Sequence, residues 1–354
     1  MISVTDPAKF ARRGSVVEGW YWVMPASRLK RGRIKPVTLM GRDLAVYRGR
    51  SGTVVALDAY CPHMGAHLAE GRVENDAIRC FFHNWRFDRT GRCTDIPCQA
   101  SVHSDKIQVR SWPVREKYGL IWVWAGSAAR HEVPEVPELE GAACDYKLGA
   151  AFVKGCDPNV VMVNAIDEQH FHTVHRLPGS ILRMEPEIVS AHNIRFSNRA
   201  AVPARHWSGR IIRYFYRDVL TYSLSYWYGS LGTVTFGPDF LHLHVLFALR
   251  EGPGGTTEGQ TILFTRRRRG PFGWLINRFV LGLTALGARY FALGDTRVFQ
   301  TIRFHFKTPI PADRSVIEFI RHFEAQPLAS EWTGTEAAAR EPAVIMYAND
   351  VRKA

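Results

Sequence analysis

The most constraining feature of this 354-residue sequence is a pair of short motifs that each combine one cysteine with one histidine. Cys61 and His63 form a Cys-x-His unit, and after an interval of sixteen residues Cys80 and His83 form Cys-x-x-His. A [2Fe–2S] cluster with mixed ligands needs two thiolates on one iron and two imidazoles on the other. Tetrahedral zinc also accepts two Cys and two His, but a zinc finger pairs the cysteines first and the histidines second. The interleaved order therefore favours the cluster over zinc.

Short apolar runs with turn residues between them surround both motifs. Residues 44–47 and 54–57 flank a glycine-containing turn and predict a hairpin that leads into the first motif. Residues 77–79 predict a strand that leads into the second motif, and residues 120–124 predict a closing strand. The sequence thus predicts a small all-β domain whose loops present the metal ligands.

An acidic segment with two prolines, 132–138, predicts a linker. We therefore expect an N-terminal segment and cluster domain at 1–135 and a second domain at 136–354. Asp157 and Pro158 are typical of a helix start, and the helix is expected to run to about residue 176. Further strands are predicted at 188–196, 211–217, 221–228, 240–249 and 261–266, and further helices at 275–294, 295–306 and 316–324. This order predicts an α+β protein with a large antiparallel sheet.

The helix predicted after Asp157 carries three histidines, His170, His172 and His175, within six residues. Two imidazoles and one carboxylate on Fe(II) leave positions open for O₂. Residues 170 and 175 lie about 140° apart on a regular helix, so the helix must bulge or end between them. His172 and His175 would suit a regular helix better, and the spacing alone leaves both pairs as candidates.

In chain order the motifs resemble the catalytic α subunits of Rieske non-haem iron oxygenases, the ring-hydroxylating oxygenases. The resemblance includes the pattern Asn-x-x-Asp-x-x-His-x₄-His, here at 164–175, and covers nearly the whole chain. It implies a helix-grip-like catalytic domain in which helices cover the sheet. It also implies that His170 and His175, rather than His172, bind a mononuclear Fe(II). Asp167 would link His170 to His83 of a neighbouring chain in a head-to-tail homotrimer. The ligands implied for the [2Fe–2S] cluster are Cys61, His63, Cys80 and His83.

The resemblance also implies a third iron ligand, a carboxylate on a late helix. Asp295 fits best, because it shares a helix face with apolar residues and would point inward. An ordinary helix-capping role is the alternative for Asp295, and Asp239 and Asp218 are weaker candidates. The family often has an acid just before this aspartate, whereas Gly294 stands there in this sequence.

No glycine-rich dinucleotide fingerprint precedes a predicted helix, so electrons must come from a separate ferredoxin and/or flavin reductase that uses NAD(P)H. The chain resembles members of the family that work without a β subunit. That likeness implies O₂-dependent monooxygenation of an apolar, alicyclic or aromatic small molecule. Desaturation and O- or N-demethylation are alternatives within the family, and a Rieske electron-transfer protein without oxygen chemistry is the alternative from another class. Residues proposed to line the substrate pocket are Tyr222, Tyr226, Trp227, Phe236, His242 and His244.

The net charge of +13 includes two basic groups, at 28–35 and 266–269. No nucleic-acid-binding motif accompanies them, so each is either a solvated surface or a site for an acidic protein partner. The six cysteines do not form a dense disulfide framework, and the N-terminus lacks the features of a signal peptide. The apolar stretch 275–294 contains two arginines, which argues against a transmembrane helix and leaves a peripheral amphipathic helix open. We therefore expect a cytoplasmic protein.

Overall fold

The computed structural model describes residues 7–99, 107–176, 182–202, 213, 214, 216 and 219–333. Its N-terminal part consists of three small antiparallel sheets, with strand orders β1–β11–β10, β2–β3–β4–β9 and β5–β6–β7–β8. These strands are β1 Gly19–Pro25, β2 Ile34–Leu39, β3 Arg42–Arg48, β4 Val54–Asp58, β5 Arg72–Glu74, β6 Ala77–Arg79, β7 Arg86–Phe87, β8 Cys93–Asp95, β9 Ser111–Trp112, β10 Val114–Lys117 and β11 Leu120–Ala125. The predicted hairpin of β3 and β4 and the predicted strands β6 and β11 are all present.

The second part is built on one seven-stranded antiparallel sheet, with the order β12–β18–β17–β16–β15–β14–β13. Its strands are β12 Cys144–Lys154, β13 Met184–Ser190, β14 Asn193–Asn198, β15 Tyr222–Trp227, β16 Leu231–Phe236, β17 Leu243–Gly252 and β18 Thr256–Arg266. The helices with defined bounds in the described part of the chain are α1 Pro158–Asn164, α2 Glu168–Thr173, α3 Gly270–Thr301 and α4 Arg314–Glu324. Short 3₁₀ turns occur at Ala26–Arg28, Leu68–Glu70, Pro137–Leu139, Pro253–Gly255 and Pro311–Asp313. The predicted α+β class is thus confirmed.

Helix α3 lies across the sheet and packs on β12, β17 and β18. Its inward side buries Val280, Leu281, Thr284 and Phe299. The two helices predicted at 275–294 and 295–306 are therefore one continuous helix. Asp295 lies inside this helix rather than at its N-terminus, so the capping alternative for Asp295 is wrong.

Other predictions of secondary structure differ from the fold, are missing or fall outside the described residues. The single strand predicted at 188–196 is a hairpin, because the chain reverses at residues 191 and 192 between β13 and β14. Strands β12 and β16 were not predicted. The strand predicted at 211–217 and the alternative ligand Asp218 lie largely or wholly outside the described residues.

Apolar packing joins the two parts of the chain. One buried cluster contains Trp20, Trp122 and Trp124 from the first part together with Met162 and Phe323 from the second. Trp332, near the end of the described residues, packs instead among the strands of the N-terminal sheets. The boundary near residue 135 stays a prediction, with the last N-terminal strand ending at 125 and the large sheet beginning at 144.

Candidate metal centres

Two loops bring the four Cys and His residues of the paired motifs together. The first loop follows β4, and its turn is closed by hydrogen bonds between Cys61 and both Gly65 and Ala66. Gly65 has a φ of +73°, which glycine adopts without strain. The second loop connects β6 to β7 and is closed by the amide of Cys80, which donates to the carbonyl of Trp85 at 2.9 Å.

Cysteine and histidine occupy opposite sides of this double loop. Cys61 and Cys80 are buried, 4% and 2% exposed, within the apolar cluster that lies under the loops. His63 and His83 are exposed, and their ring centroids are 4.6 Å apart. The ring of Trp85 stacks on His63 at 4.4 Å and fixes its plane. The arrangement offers two thiols inward and two imidazoles outward, which is the donor set that a mixed-ligand [2Fe–2S] cluster needs.

The buried thiol of Cys61 is protonated when no metal is bound. Burial, together with the adjacent Cys80, raises the pKa of Cys61 to about 11. Metal binding must therefore release protons, as is usual for thiolate ligands. His67, in the same loop, has a structural role, because its Nδ1 accepts a hydrogen bond from the amide of Ala69.

The second group of ligands begins at a break between two short helices. Asp157 caps α1 by accepting from the amide of Asn159, and Asp167 caps α2 by accepting from the amide of Gln169. The helix predicted to continue to residue 176 therefore stops at Asn164 and starts again at Glu168. The hydroxyls of Tyr222 and Tyr226 donate to carbonyls at the end of α1, and the hydroxyl of Ser315 donates to Ile166. These bonds satisfy carbonyls that the break leaves outside a regular helix.

Helix α2 ends between His170 and His175, as their spacing required. The amide of His175 donates to the carbonyl of His170 at 3.4 Å, an i to i+5 bond typical of a widened last turn. This turn places both rings, 5.1 Å apart by centroid, on the same side of the chain. His172 is not part of the cluster of possible metal ligands found among the described residues.

Asp295 of α3 completes that cluster, and all three potential ligand atoms lie within 4.8 Å of one another. Oδ1 of Asp295 is 3.1 Å from Nε2 of His175 and 3.9 Å from Nε2 of His170. Among the described residues this buried oxygen accepts no well-directed hydrogen bond. An unsatisfied buried carboxylate oxygen that faces two imidazole nitrogens fits a divalent metal, since unpaired buried charge is otherwise costly.

The protonation of His170 also suits a metal ligand. Nδ1 of His170 lies 2.6 Å from the carbonyl oxygen of Asp167, which can only accept, so Nδ1 carries the proton and Nε2 keeps its lone pair. Burial lowers the pKa of His170 and favours this neutral form. The contact with His170 is made by the backbone of Asp167, because the carboxylate of Asp167 caps α2.

A cavity of about 590 Å³ extends from the three ligands between the sheet and α3. Most of its lining is apolar, and Lys154, whose Nζ donates to Thr296 at 3.0 Å, adds a cation to the wall. The lining includes Tyr222, Tyr226 and Phe236, three of the six residues proposed for the pocket.

Trp227, His242 and His244, the other three proposed residues, do not line the cavity. Strand residues alternate between faces, so Trp227 points away from the face that carries Tyr226. His244 lies on the far face and bonds Thr235 at 2.9 Å, while His242 contacts Glu138 at 2.7 Å. Asp239, a weaker candidate for the third iron ligand, is exposed and is not part of the ligand cluster.

Gly294 is the sequence feature whose importance was missed. A Cβ atom at this position would lie 3.0 Å from Cε1 of His175, too close for an undisturbed ring. Glycine at position 294 therefore leaves the space that the His175 ring occupies.

Known proteins resemble this chain in part of its sequence and in its fold. Residues 19–113 match the Rieske [2Fe-2S] domain. The chain is 37% identical over 175 residues to cholesterol 7-desaturase nvd 1 of Ciona intestinalis, covering 46% of this chain and 36% of that protein. It is 32% identical over 178 residues to the oxygenase component of 3-ketosteroid-9-alpha-monooxygenase of Rhodococcus rhodochrous, covering 48% and 45%. The matches thus span less than half of either relative.

The fold as a whole resembles that of Pseudomonas putida CBB5 NdmB, with a TM-score of 0.64, 16% identity, and coverage of 94% of this chain and 96% of that chain. The chain therefore contains a Rieske [2Fe-2S] domain at residues 19–113, and a large helix-covered sheet follows it. Its matched part is similar to the oxygenase component of 3-ketosteroid-9-alpha-monooxygenase, and its fold is similar to that of NdmB.

Proposed function

We propose that this chain is a terminal oxygenase that takes electrons through its Rieske cluster and hydroxylates an apolar small molecule with O₂. The observation that carries the proposal is the meeting of His170, His175 and the unsatisfied Asp295 carboxylate at the wall of a mostly apolar cavity. Iron(II) held by two histidines and one carboxylate keeps positions open and supplies the activation of O₂.

The chain's own residues position the ligands and exclude water. Asp167 holds His170 with Nε2 directed at the metal position, and the apolar walls keep solvent from the reacting groups. In the proposed hydroxylation, one oxygen atom enters a C–H bond of the substrate and the other leaves as water. The balance needs two electrons and two protons from outside, which a ferredoxin and/or flavin reductase would supply from NAD(P)H.

The cavity supports an alicyclic or aromatic substrate with one polar group. Its aromatic and aliphatic lining suits a fused or substituted ring, and Lys154 could donate a hydrogen bond to a keto or hydroxyl oxygen. Two relatives are named for cholesterol and for a ketosteroid, which fits the same substrate class.

We further propose that the productive electron path joins two chains in a homotrimer. His83 is exposed, and Asp167 is half-buried with one carboxylate oxygen used by the helix cap. An exposed cluster histidine and a partly exposed acid beside His170 are what a bridge across a subunit boundary requires.

The first experiment measures O₂ uptake and product mass with a ferredoxin–reductase pair and a panel of sterols, ketosteroids and aromatic ethers. Hydroxylation adds one oxygen atom, desaturation removes two hydrogens, and demethylation removes one carbon with two hydrogens. Asp295→Ala should abolish turnover while the reduced Rieske EPR signal persists. An electron-transfer protein without oxygen chemistry would bind only the two cluster irons per chain, and Asp295→Ala would change nothing.

The second experiment tests the bridge by mixing two inactive variants. Asp167→Ala chains keep all four cluster ligands, and His83→Ala chains keep the carboxylate of Asp167. If electrons cross between chains, mixed trimers contain interfaces with both parts intact and regain turnover. If transfer occurs within one chain, every chain has a lesion and the mixture stays inactive. Light scattering of the unmixed protein reports the oligomeric state independently.

A further inference from the structure

The outward face of α3 carries an exposed apolar stripe that the oxygenase chemistry does not use. Its six residues are between 37% and 81% exposed. They follow one another in steps of four, three, four, three and four residues, which places them within an arc about 80° wide on the helix. The stripe consists of Phe272, Ile276, Phe279, Leu283, Leu286 and Tyr290.

The charge beside the stripe has a single sign. Between residues 266 and 290 the sequence contains six arginines and no lysine, aspartate or glutamate. Arg267 pairs with Asp145 at 2.6 Å, whereas Arg266, Arg269, Arg278 and Arg289 have exposed side chains along the helix or at its start. Residues 266–290 therefore present an apolar stripe, and all of their charged residues are arginines.

Helix–helix pairing with a second copy is disfavoured by these charges. Steps of three and four residues also suit a coiled-coil seam, and such seams use complementary charges at their borders. In two paired copies of α3, the arginines of residues 266–290 would meet no acidic residue of the same segment to complement them. A surface with negative headgroups above an apolar interior matches both the charge and the stripe.

We propose that α3 docks this chain on the surface of an anionic phospholipid bilayer, with the stripe at the level of the headgroups and upper acyl chains. Aromatic side chains together with basic borders are typical of helices that lie in the membrane interface. Within the described ranges no helix has the length and hydropathy needed to cross a bilayer, so α3 would lie on the surface.

The position of the cavity gives the docking a consequence that rests on the proposed function. Ala285 and Ala288 of α3 line the cavity, and Arg289 both lines the cavity and is exposed. The cavity therefore has an exposed residue of the same helix at its wall, and an apolar substrate dissolved in lipid could enter there.

The test is sedimentation of the purified holoprotein with sucrose-loaded vesicles, which needs neither substrate nor reductase. One set contains phosphatidylcholine alone, and the other contains phosphatidylcholine with phosphatidylglycerol. We expect preferential binding to the anionic vesicles that weakens in high salt. Phe272→Ser combined with Phe279→Ser should lower the partition coefficient about tenfold or more on both sets. Arg266→Gln combined with Arg269→Gln should lower it about tenfold on the anionic set only.

Ile188→Ser combined with Val189→Ser is the matched control. Both residues are exposed and apolar, but they lie on β13 at the opposite edge of the sheet. This variant should bind vesicles like the original chain, and circular dichroism melting should show that all variants remain folded. Absence of vesicle binding by the original protein would overturn the proposal. An equal loss of vesicle binding in the Ile188/Val189 control would also overturn it. If the original chain formed an oligomer that dissociated only in the Phe272/Phe279 variant, the stripe would be assigned to a protein interface instead.

Discussion

Replacing Gly294 by alanine is expected to displace His175 and weaken the mononuclear iron site. The added Cβ would lie 3.0 Å from Cε1 and 3.2 Å from Nδ1 of the His175 ring. Carbon atoms in ordinary contact are about 3.5–4.0 Å apart, so the ring must retreat by a few tenths of an ångström. Metal sites keep their ligand distances within about 0.2 Å. We therefore expect a 10- to 100-fold loss of iron affinity, equivalent to about 1.4–2.8 kcal/mol.

Gly282→Ala is the matched control on the same helix, because a Cβ at position 282 meets no atom within 4 Å. Both substitutions replace a helical glycine and should gain about 0.5–1 kcal/mol of helix stability. Only Gly294→Ala adds the contact with His175. The comparison therefore separates a change in helix stability from a change in ligand geometry.

The assay is anaerobic dialysis of each variant against buffers of graded free Fe(II), followed by measurement of iron per chain. Visible absorption of the Rieske cluster measures separately the irons that belong to the cluster and not to the mononuclear site. Gly294→Ala should need 10- to 100-fold more free iron for half-saturation, with its cluster absorption unchanged. Equal iron affinity in Gly294→Ala and the original chain would refute the steric argument. Equal losses in both glycine variants would attribute the effect to the helix.

Three further predictions concern single residues of the second domain. Burial raises the pKa of Asp157 to about 6 from a reference value of 3.8, so between those pH values the folded chain holds more protons than the unfolded chain. The free energy of unfolding should therefore fall as pH rises from about 4 to 6, by up to about 3 kcal/mol, and Asp157→Asn should lose this slope while keeping the helix cap. Tyr226→Phe should lower the free energy of unfolding by about 1–2 kcal/mol, because the buried carbonyl of Met162 loses a hydrogen bond of 2.8 Å. Lys154→Met should raise KM about tenfold for a substrate with a keto or hydroxyl group and leave kcat nearly unchanged. The reason is that a hydrogen bond from Lys154 would stabilise the bound substrate and the transition state equally.

Each of these predictions has its own control. Urea unfolding at several pH values measures the first, and an unchanged slope in Asp157→Asn would assign the titration to another group. Tyr222→Phe is the comparison for the second, because its hydroxyl bond to Ala165 is longer, at 3.1 Å, and less buried. For the third, an analogue without the oxygen atom should show the same KM with both enzymes, and a tenfold change for that analogue would contradict the role of Lys154.

Sequence alone predicted the parts of the sites whose ligands are close together in the chain. Cys61, His63, Cys80 and His83 lie on two loops next to short strands, so motif spacing and local turn chemistry were enough to bring them together. The five-residue spacing of His170 and His175 likewise required the helix to end between them, and α2 ends there. Both inferences depend on local backbone geometry, which a short segment largely determines.

Tertiary structure decided what depends on contacts between distant segments. The two helices expected around Asp295 merge into one, because packing against the sheet stabilises α3 through Gly294 and past Asp295. Strand register decided that Tyr222, Tyr226 and Phe236 line the cavity and that His244 lies behind it, since successive strand residues point to opposite faces. The unsatisfied oxygen of Asp295 and the space that Gly294 leaves for His175 exist only where α3 meets the segment that follows α2. Side chains more than a hundred residues apart in the sequence meet there, and no local pattern encodes that distance.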